Sequence, residues 1–421
     1  MPTISRRTFL ATSAISLTAS SYSHATNRPN DTLRVAVMGA RIRGKFHLGA
    51  FPKQPNVEVT HLIETDSTIV PEALAVLAKN QKSVAAVETD VRKVLESKAV
   101  DILVVAAPDH WHALATVWAC QAGKHVYCEK PASHNLEEGR RMVKAARKYD
   151  RVVQVGTQRR SAPHLIAARD FVQSGKLGKV PFARAWIAGD RKSIGKLQPG
   201  AVPPGVDYSL WLGPCPETPF HPNRFHYNWH WWWDLGTGEL GNNGIHGLDV
   251  IRMVLGLDSP TRISSSGGKY FYDDDQQTPD TQTATFDFPT CTAVWEHRIW
   301  AKTDLEGESF GIAFHGEKGT LVVDSKGWHV KDGVEGSEKQ SSGIEALHIR
   351  NFLDVIRGNA KSLNAEIEEG HKSTRLCHLG NAAFRSGKTL HFDANTETVN
   401  EKDAMSYLTR DYRKGFELPS L

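Results

Sequence analysis

Val35-Ala36-Val37-Met38-Gly39-Ala40-Arg41-Ile42-Arg43-Gly44 is an apolar run that breaks at one glycine and meets another five residues later. The run reads as a buried strand, and the segment 45–48 after it is helix-compatible. Strand, glycine turn and helix in that order open a unit that cradles a dinucleotide pyrophosphate, with G-x-G-x-x-G as its usual turn. Here Gly39 and Gly44 hold the outer glycine positions and Arg41 replaces the middle one. Glu64 lies 20 residues beyond Gly44, at the end of the next strand-like run, where a carboxylate accepts hydrogen bonds from the adenosine ribose. A carboxylate there repels a 2′-phosphate and favours NAD, while Arg41 and Arg43 suit that phosphate and leave NADP open. Gly39, Arg41, Ile42, Arg43, Gly44 and Glu64 are thus the expected cofactor cradle.

The pattern continues outward. Residues 33–38, 57–63, 102–106, 125–128 and 152–155 read as strands, with helical patterns at 69–79, 91–97, 112–122 and 136–148 between them. Alternation of this kind predicts an α/β, Rossmann-type parallel-sheet domain over residues 31–155, with ligands beyond the carboxyl ends of the strands. Two more strand ends open on that edge. One carries Pro108, His110 and His112, and the other Glu129-Lys130-Pro131, so Pro108, His110, His112, Glu129, Lys130 and, after the last strand, Gln158 join the expected cofactor contacts. A Lys130 shielded at such an edge has its pKa lowered by desolvation and can move a proton near neutrality. The bland alternative is a surface Glu129–Lys130 ion pair. No third ligand clusters with His110 and His112, so no metal is expected.

Length and composition set outer bounds. With 421 residues, 40% hydrophobic and 23% charged, the chain suits two globular domains. A net charge of +4 from 51 basic and 47 acidic residues spread along the chain offers no concentrated basic face, and nucleic acid is set aside. Five dispersed cysteines read as buried thiols rather than a disulfide framework. Ser5-Arg6-Arg7-Thr8-Phe9-Leu10, a short apolar stretch and Ser23-His24-Ala25 form the blocks of a twin-arginine export signal over residues 1–25. That apolar stretch is too short to span a membrane, and the expected location is the periplasm or beyond.

The glycine turn, the A-P-D-H-W-H stretch (107–112) and above all Glu129-Lys130-Pro131 resemble the glucose-fructose oxidoreductase/inositol dehydrogenase/rhizopine catabolism family, Gfo/Idh/MocA. Later stretches resemble it too: DYSLWLGP (207–214), GELGNNGIHGLD (238–249), HGEKGTLVVD (315–324) and HIRNFLDVIRG (348–358). The resemblance implies a second α/β domain, residues 156–390, built on a large, mainly antiparallel sheet that forms a homo-oligomer, dimer or tetramer. Strand-like alternation at 184–187, 281–286, 292–298 and 320–323 independently suits such a sheet. Residues 391–421 form a tail that packs on a neighbouring domain or subunit.

The second half supplies the substrate side. Trp229, Trp231, Trp232 and Trp233 crowd four of 11 tryptophans into five positions, and Trp229 is a candidate to stack on a sugar, with core packing or an interface an equal use for others. Arg159, Asn242 and Asp249 are the other candidate substrate contacts. The resemblance gives His246 an acid/base role beside the substrate, facing Lys130. Inositol-dehydrogenase-like members carry Asp four residues before this histidine, and here it is Asn242, an amide that relays no proton. The expected function is an NAD-dependent oxidoreductase acting on a sugar, cyclitol or related polyhydroxy compound, its cofactor tightly held and internally recycled. The alternatives are a redox-neutral, NAD-dependent glycosidase resembling glycoside hydrolase family 109, whose Tyr-Pro-Thr-His-Gly differs from Asn243-Gly244-Ile245-His246-Gly247 here, and a non-catalytic cofactor-binding protein.

Overall fold

A computed structural model describes residues 32–421 of the chain except 304 and 306. The expected export signal at 1–25 lies outside the described residues. Six strands, β1 (Leu33–Met38), β2 (Val57–Ile63), β3 (Ala86–Glu88), β4 (Ile102–Val105), β5 (His125–Cys128) and β6 (Val153–Val155), form a parallel sheet in the order β3-β2-β1-β4-β5-β6. Continuous apolar runs build it because both faces are covered: Val35 to Val37 and Ile102 to Val105 are wholly buried. Helices α1 (Ile42–Ala50), α2 (Val70–Ala78), α3 (Val91–Leu95), α4 (Asp109–Gln121) and α5 (Leu136–Lys148) supply the cover. β3 escaped the sequence reading because it is three residues at an edge with no apolar run. The strand order reverses between β1 and β4, which opens the crevice where such sheets bind ligands.

The second sheet has ten strands: β7 (Phe182–Ala188), β8 (Arg262–Gly268), β9 (Thr281–Asp287), β10 (Thr292–Arg298), β11 (Phe310–Gly316), β12 (Gly319–Asp324), β13 (Gly327–Lys331), β14 (Ser337–Lys339), β15 (Leu390–Asp393) and β16 (Thr398–Val399). Their order is β14-β13-β12-β11-β7-β10-β9-β8-β15-β16, antiparallel except for the pair β7 and β10. Along β9 and β10 buried and part-exposed residues alternate, so one face holds the core and the other stays half open. The covered face takes α6 (Pro163–Gln173), α8 (Ile245–Leu255) and α10 (Ile367–Ser386), with a short α7 (Tyr208–Leu212) in the connection before α8. A side chain on Gly247 would place its Cβ 2.5 Å from that of Ala185, so glycine there lets α8 lie close on β7.

The chain then crosses back. Helix α9 (Ile344–Ile356) brings Ile349, Phe352 and Leu353 into one cluster with Val35, Leu48 and Tyr127 of the first domain. The tail does likewise: Phe416 lies edge-on to Trp111 at 5.8 Å. All five cysteines are buried and free. Among the described residues no helix is long and apolar enough to cross a membrane, and no group of three His, Cys, Asp or Glu is placed to hold a metal ion.

Candidate functional site

β1 delivers Gly39 to the crevice at φ +92°, a conformation that favours glycine. A Cβ there would meet the Ala106 carbonyl oxygen at 2.7 Å, and one on Gly44 would come within 1.8 Å of the Gly39 oxygen. Both glycines are therefore required for the turn to pass close to β4 and for α1 to pack on it. Arg41 adopts φ −89°, ordinary for any residue, and precedes α1, whose first N–H groups are without a side-chain cap. Such a helix N-terminus favours a phosphate. Glu64 closes the far side: one oxygen accepts the Ala40 N–H at 2.7 Å and the other the Asp66 N–H at 2.9 Å. Burial raises its pKa, with those N–H groups opposing the rise. A carboxylate has more acceptor sites than these two bonds use, so ribose hydroxyls can still be met.

These groups wall a cavity of about 300 Å³. Gly39, Arg41, Ile42, Arg43, Glu64, Pro108, His112, Glu129, Lys130, Trp229 and Asn242 all reach it, and Gly44 supports the turn from behind. The tight turn, the open helix N-terminus and the carboxylate fit a dinucleotide.

Several charged groups are otherwise engaged than expected. The Arg43 guanidinium is paired with Glu129 at 2.8 Å and with Glu345 at 3.4 Å, which removes it as a partner for an extra phosphate. Arg41 extends toward Asp66, 4.0 Å away. Glu129 is buried and does not pair with Lys130. Burial would raise its pKa, but Arg43 and His47, the latter 2.7 Å away, hold it well below the usual carboxylate range. Lys130 turns instead to Asn242, donating to its backbone oxygen at 2.9 Å and its Oδ1 at 3.2 Å. Burial lowers the Lys130 pKa, against Asp109, Glu129 and Glu239.

Asn242 lies on a π-turn, Leu240–Gly244, that leads directly into α8, and His246 sits in the first turn of that helix. Its Nδ1 has no partner among the described residues. Burial, then Lys130 and Arg159, push its pKa well below the ordinary value, so the imidazole is neutral. Arg159 lies over the Phe310 ring at 4.3 Å, and burial lowers its pKa to about 10. Neither His246 nor Arg159 forms part of the dinucleotide cavity wall.

Three of the expected contacts have other partners and lie outside the cavity wall. Both His110 nitrogens face carbonyl oxygens, Trp211 at 3.0 Å and Leu235 at 3.2 Å, so this fully buried ring ties α4 to the second domain and leaves nothing for the cofactor. Gln158 donates to Glu345 at 3.4 Å, outside the cavity wall. Asp249, 1% exposed, accepts from Arg160 at 2.7 Å and Ser373 at 2.6 Å and is a buried ion-pair partner rather than a substrate contact. His112 does reach the cavity, but its nitrogens face the carbonyls of Pro131 at 2.6 Å and Ala107 at 2.9 Å. Burial opposes its cation, yet Cys128, Asp109 and the Pro131 carbonyl raise its pKa to about 10.

Two features escaped the sequence reading. Asp109 is buried in the cavity wall, accepts from Thr237 Oγ1 at 2.7 Å, and has its pKa pushed up to about 6 by burial, against His112, Thr237 and Lys130. In the sequence it stands between Pro108 and His110. The second is a strap formed by the long connection from β7 to α8. Ser67 N–H donates to the Gly205 oxygen and Asp207 N–H to the Thr65 oxygen, at 2.9 and 2.8 Å, and His226 Nε2 lies 3.2 Å from Asp66. Phe225, His226, Tyr227, Trp229 and His230 on this connection all reach the cavity. Trp231 is buried, while Trp232 packs with the aromatic cluster around Trp211 and Phe225.

Comparison with known proteins follows this division of the chain. Residues 33–157 match the model of the Gfo/Idh/MocA oxidoreductase family's NAD-binding Rossmann fold, and residues 185–418 match that of its C-terminal alpha/beta domain. An inositol 2-dehydrogenase of Rhizobium meliloti is 29% identical over 89% of this chain and 99% of its own length. A levoglucosan dehydrogenase of Pseudarthrobacter phenanthrenivorans is 25% identical over 53% of this chain, an alignment spanning about half (51%) of that relative. The WlbA dehydrogenase from Bordetella pertussis, solved with NADH and UDP-GlcNAcA, shares the fold with a TM-score of 0.65 at 20% identity, over 86% of this chain and 99% of that one.

Proposed function

The chain belongs to the Gfo/Idh/MocA oxidoreductase family and is an NAD-dependent oxidoreductase acting on CH–OH groups; from that premise we propose that its substrate is a sugar, cyclitol or related polyhydroxy compound and that its cofactor stays bound and is reoxidised in place. The observation that carries the reading is the approach of Lys130 Nζ to both Asn242 oxygens, one turn before His246.

Bound NAD supplies the acceptor for the hydride leaving the alcohol carbon. The chain supplies the rest. Two Lys130 N–H groups are held by Asn242, which leaves a third to steady the substrate oxygen as its proton departs. Neutral His246 takes that proton, since the amide of Asn242 cannot. Asp109 and Thr237 brace the wall beside Lys130. Arg159, within electrostatic reach of His246 and outside the dinucleotide cavity wall, is available to a substrate hydroxyl.

Retention of the cofactor is supported by the strap, which ties the second domain to the ribose end of the cavity through Asp66. Export is supported by the order of basic, apolar and small blocks over residues 1–25. An exported enzyme has no free NAD pool to draw on, so a retained cofactor cycled between two substrates is consistent with that address.

Denaturing the purified protein is expected to release nicotinamide dinucleotide, and adding free sugars or polyols to the native protein is expected to produce bound NADH absorbance. Absence of any NAD binding overturns the reading. Cleavage of a nitrophenyl glycoside without net NADH replaces it with the redox-neutral glycosidase.

A further inference from the structure

The segment that places Trp229 and His230 in the cofactor cavity places Trp233, Asp234, Gly236 and Thr237 in the wall of a second cavity of about 510 Å³. Its opposite walls come from His134 and Asn135 ahead of α5, from His378, Asn381 and Arg385 on α10, and from the tail around Arg410.

All but one of the unmet polar atoms in this wall are donors. Asn135, 2% exposed, uses its Oδ1 to accept the Glu138 N–H and cap α5, and its Nδ2 has no partner among the described residues. Arg224 Nε and Arg410 Nε and Nη1 are likewise buried without a hydrogen-bond partner. These four atoms are N–H donors. Arg385 crosses between the rings of Trp233, at 4.9 Å, and Tyr407, at 4.2 Å, and has no carboxylate partner among the described residues. Two of the arginines are paired, Arg224 with Asp234 and Arg410 with Glu138 at 3.7 Å, and Asp411 is exposed, so Arg385 is the cation left for a ligand. One acceptor completes the set. His134 faces the Trp233 oxygen with Nε2 at 3.0 Å, and its buried Nδ1 is unpartnered, with burial keeping the ring neutral.

We propose that this cavity is a second small-molecule site, for a polyhydroxylated anion of monosaccharide size. Its carboxylate or phosphate meets Arg385 and Asn135 Nδ2, and a hydroxyl donates to His134 Nδ1. The volume suits one such molecule, and buried donors left unmet favour an acceptor-rich ligand. The site also adjoins the reaction centre: Asn381 donates to the Thr237 oxygen at 2.8 Å, and Thr237 Oγ1 to Asp109 at 2.7 Å. An occupant therefore bears on the wall that holds Lys130.

Isothermal calorimetry of the full chain, with NAD added, tests this with D-gluconate, D-glucose 6-phosphate and D-glucose as probes. One of the two anions is expected to bind saturably and at least tenfold more tightly than D-glucose, and whichever binds better identifies the anionic group. Asn135→Asp keeps the cap oxygen and removes the donor, and Arg385→Met keeps the side-chain stem. Each is expected to weaken anion binding at least tenfold while NAD binding and the unfolding midpoint stay unchanged. No saturable binding of either anion, displacement of the anion by NAD, or undiminished binding in both variants overturns the proposal. Turnover of neutral polyols is read separately, so failure of this site leaves the dehydrogenase reading standing.

Discussion

Lys130, Asn242 and His246 form a short series in which a cation is steadied by an amide and a neutral imidazole waits one turn further on. Removing either end removes a different duty, so Lys130→Ala and His246→Ala are each expected to lower kcat/KM by about 10²–10⁴-fold with an unchanged circular dichroism spectrum. Asp109 adds a pH signature. Its carboxyl ionises near 6 in the folded chain and near 3.9 when unfolded. The folded state therefore holds this proton more tightly, and the group's contribution is full below about pH 4 and lost as the pH rises through about 6. Asp109→Asn keeps an oxygen for Thr237 and lacks this slope. Its unfolding free energy, measured by urea titration, is expected to gain up to about 3 kcal/mol on wild type between about pH 4 and 6.

Among the elements, the strap and the π-turn do most to shape the site. The π-turn carries Asn242 toward Lys130, and a Cβ on Gly241 would fall 1.9 Å from Thr237 Oγ1, so the glycine spacing there preserves the Thr237–Asp109 contact. The strap is fastened at Asp66, which caps its own turn through Thr68 N–H and also meets Arg41 and His226. Asp66→Ser retains a capping oxygen and drops the charge. Stopped-flow measurement is expected to show NAD leaving about tenfold faster, the equivalent of about 1.4 kcal/mol; an unchanged rate would show that the strap does not hold the cofactor.

At the scale of the whole molecule, the chain closes on itself through its last residues. Phe416 packs with Trp111 and Trp118 and lies under the guanidinium groups of Arg92 and Arg413. Phe416→Ala is expected to cost about 3 kcal/mol in denaturant unfolding without changing NAD affinity. On the half-open face of the ten-stranded sheet Leu305 packs on a small buried cluster of Trp186, Ala313 and Val322, while alternate residues of β9 and β10 stay part-exposed. We propose that a second copy lies there, and light scattering is expected to give a dimer or tetramer; a monomer at micromolar concentration excludes it.

The parallel domain is legible in the chain itself, because β1 and β4 are short runs whose apolar residues follow one another and the glycine turn at Gly39 comes directly after the first of them. The sequence also determined which residues stand at the strand ends, since Glu64, Pro108 and Glu129-Lys130 follow directly from the alternation. What it left open are pairings between residues far apart in the chain. Glu129 went to Arg43 and His47 rather than to its neighbour Lys130, Asp249 to Arg160 and Ser373, and His110 to carbonyls more than 100 positions away. A buried charge takes whichever partner the packing brings within hydrogen-bond reach, and local spacing does not encode that choice. The tertiary structure alone decided that the tryptophan run divides between two cavities, because a connection without regular periodicity is positioned by what it packs against.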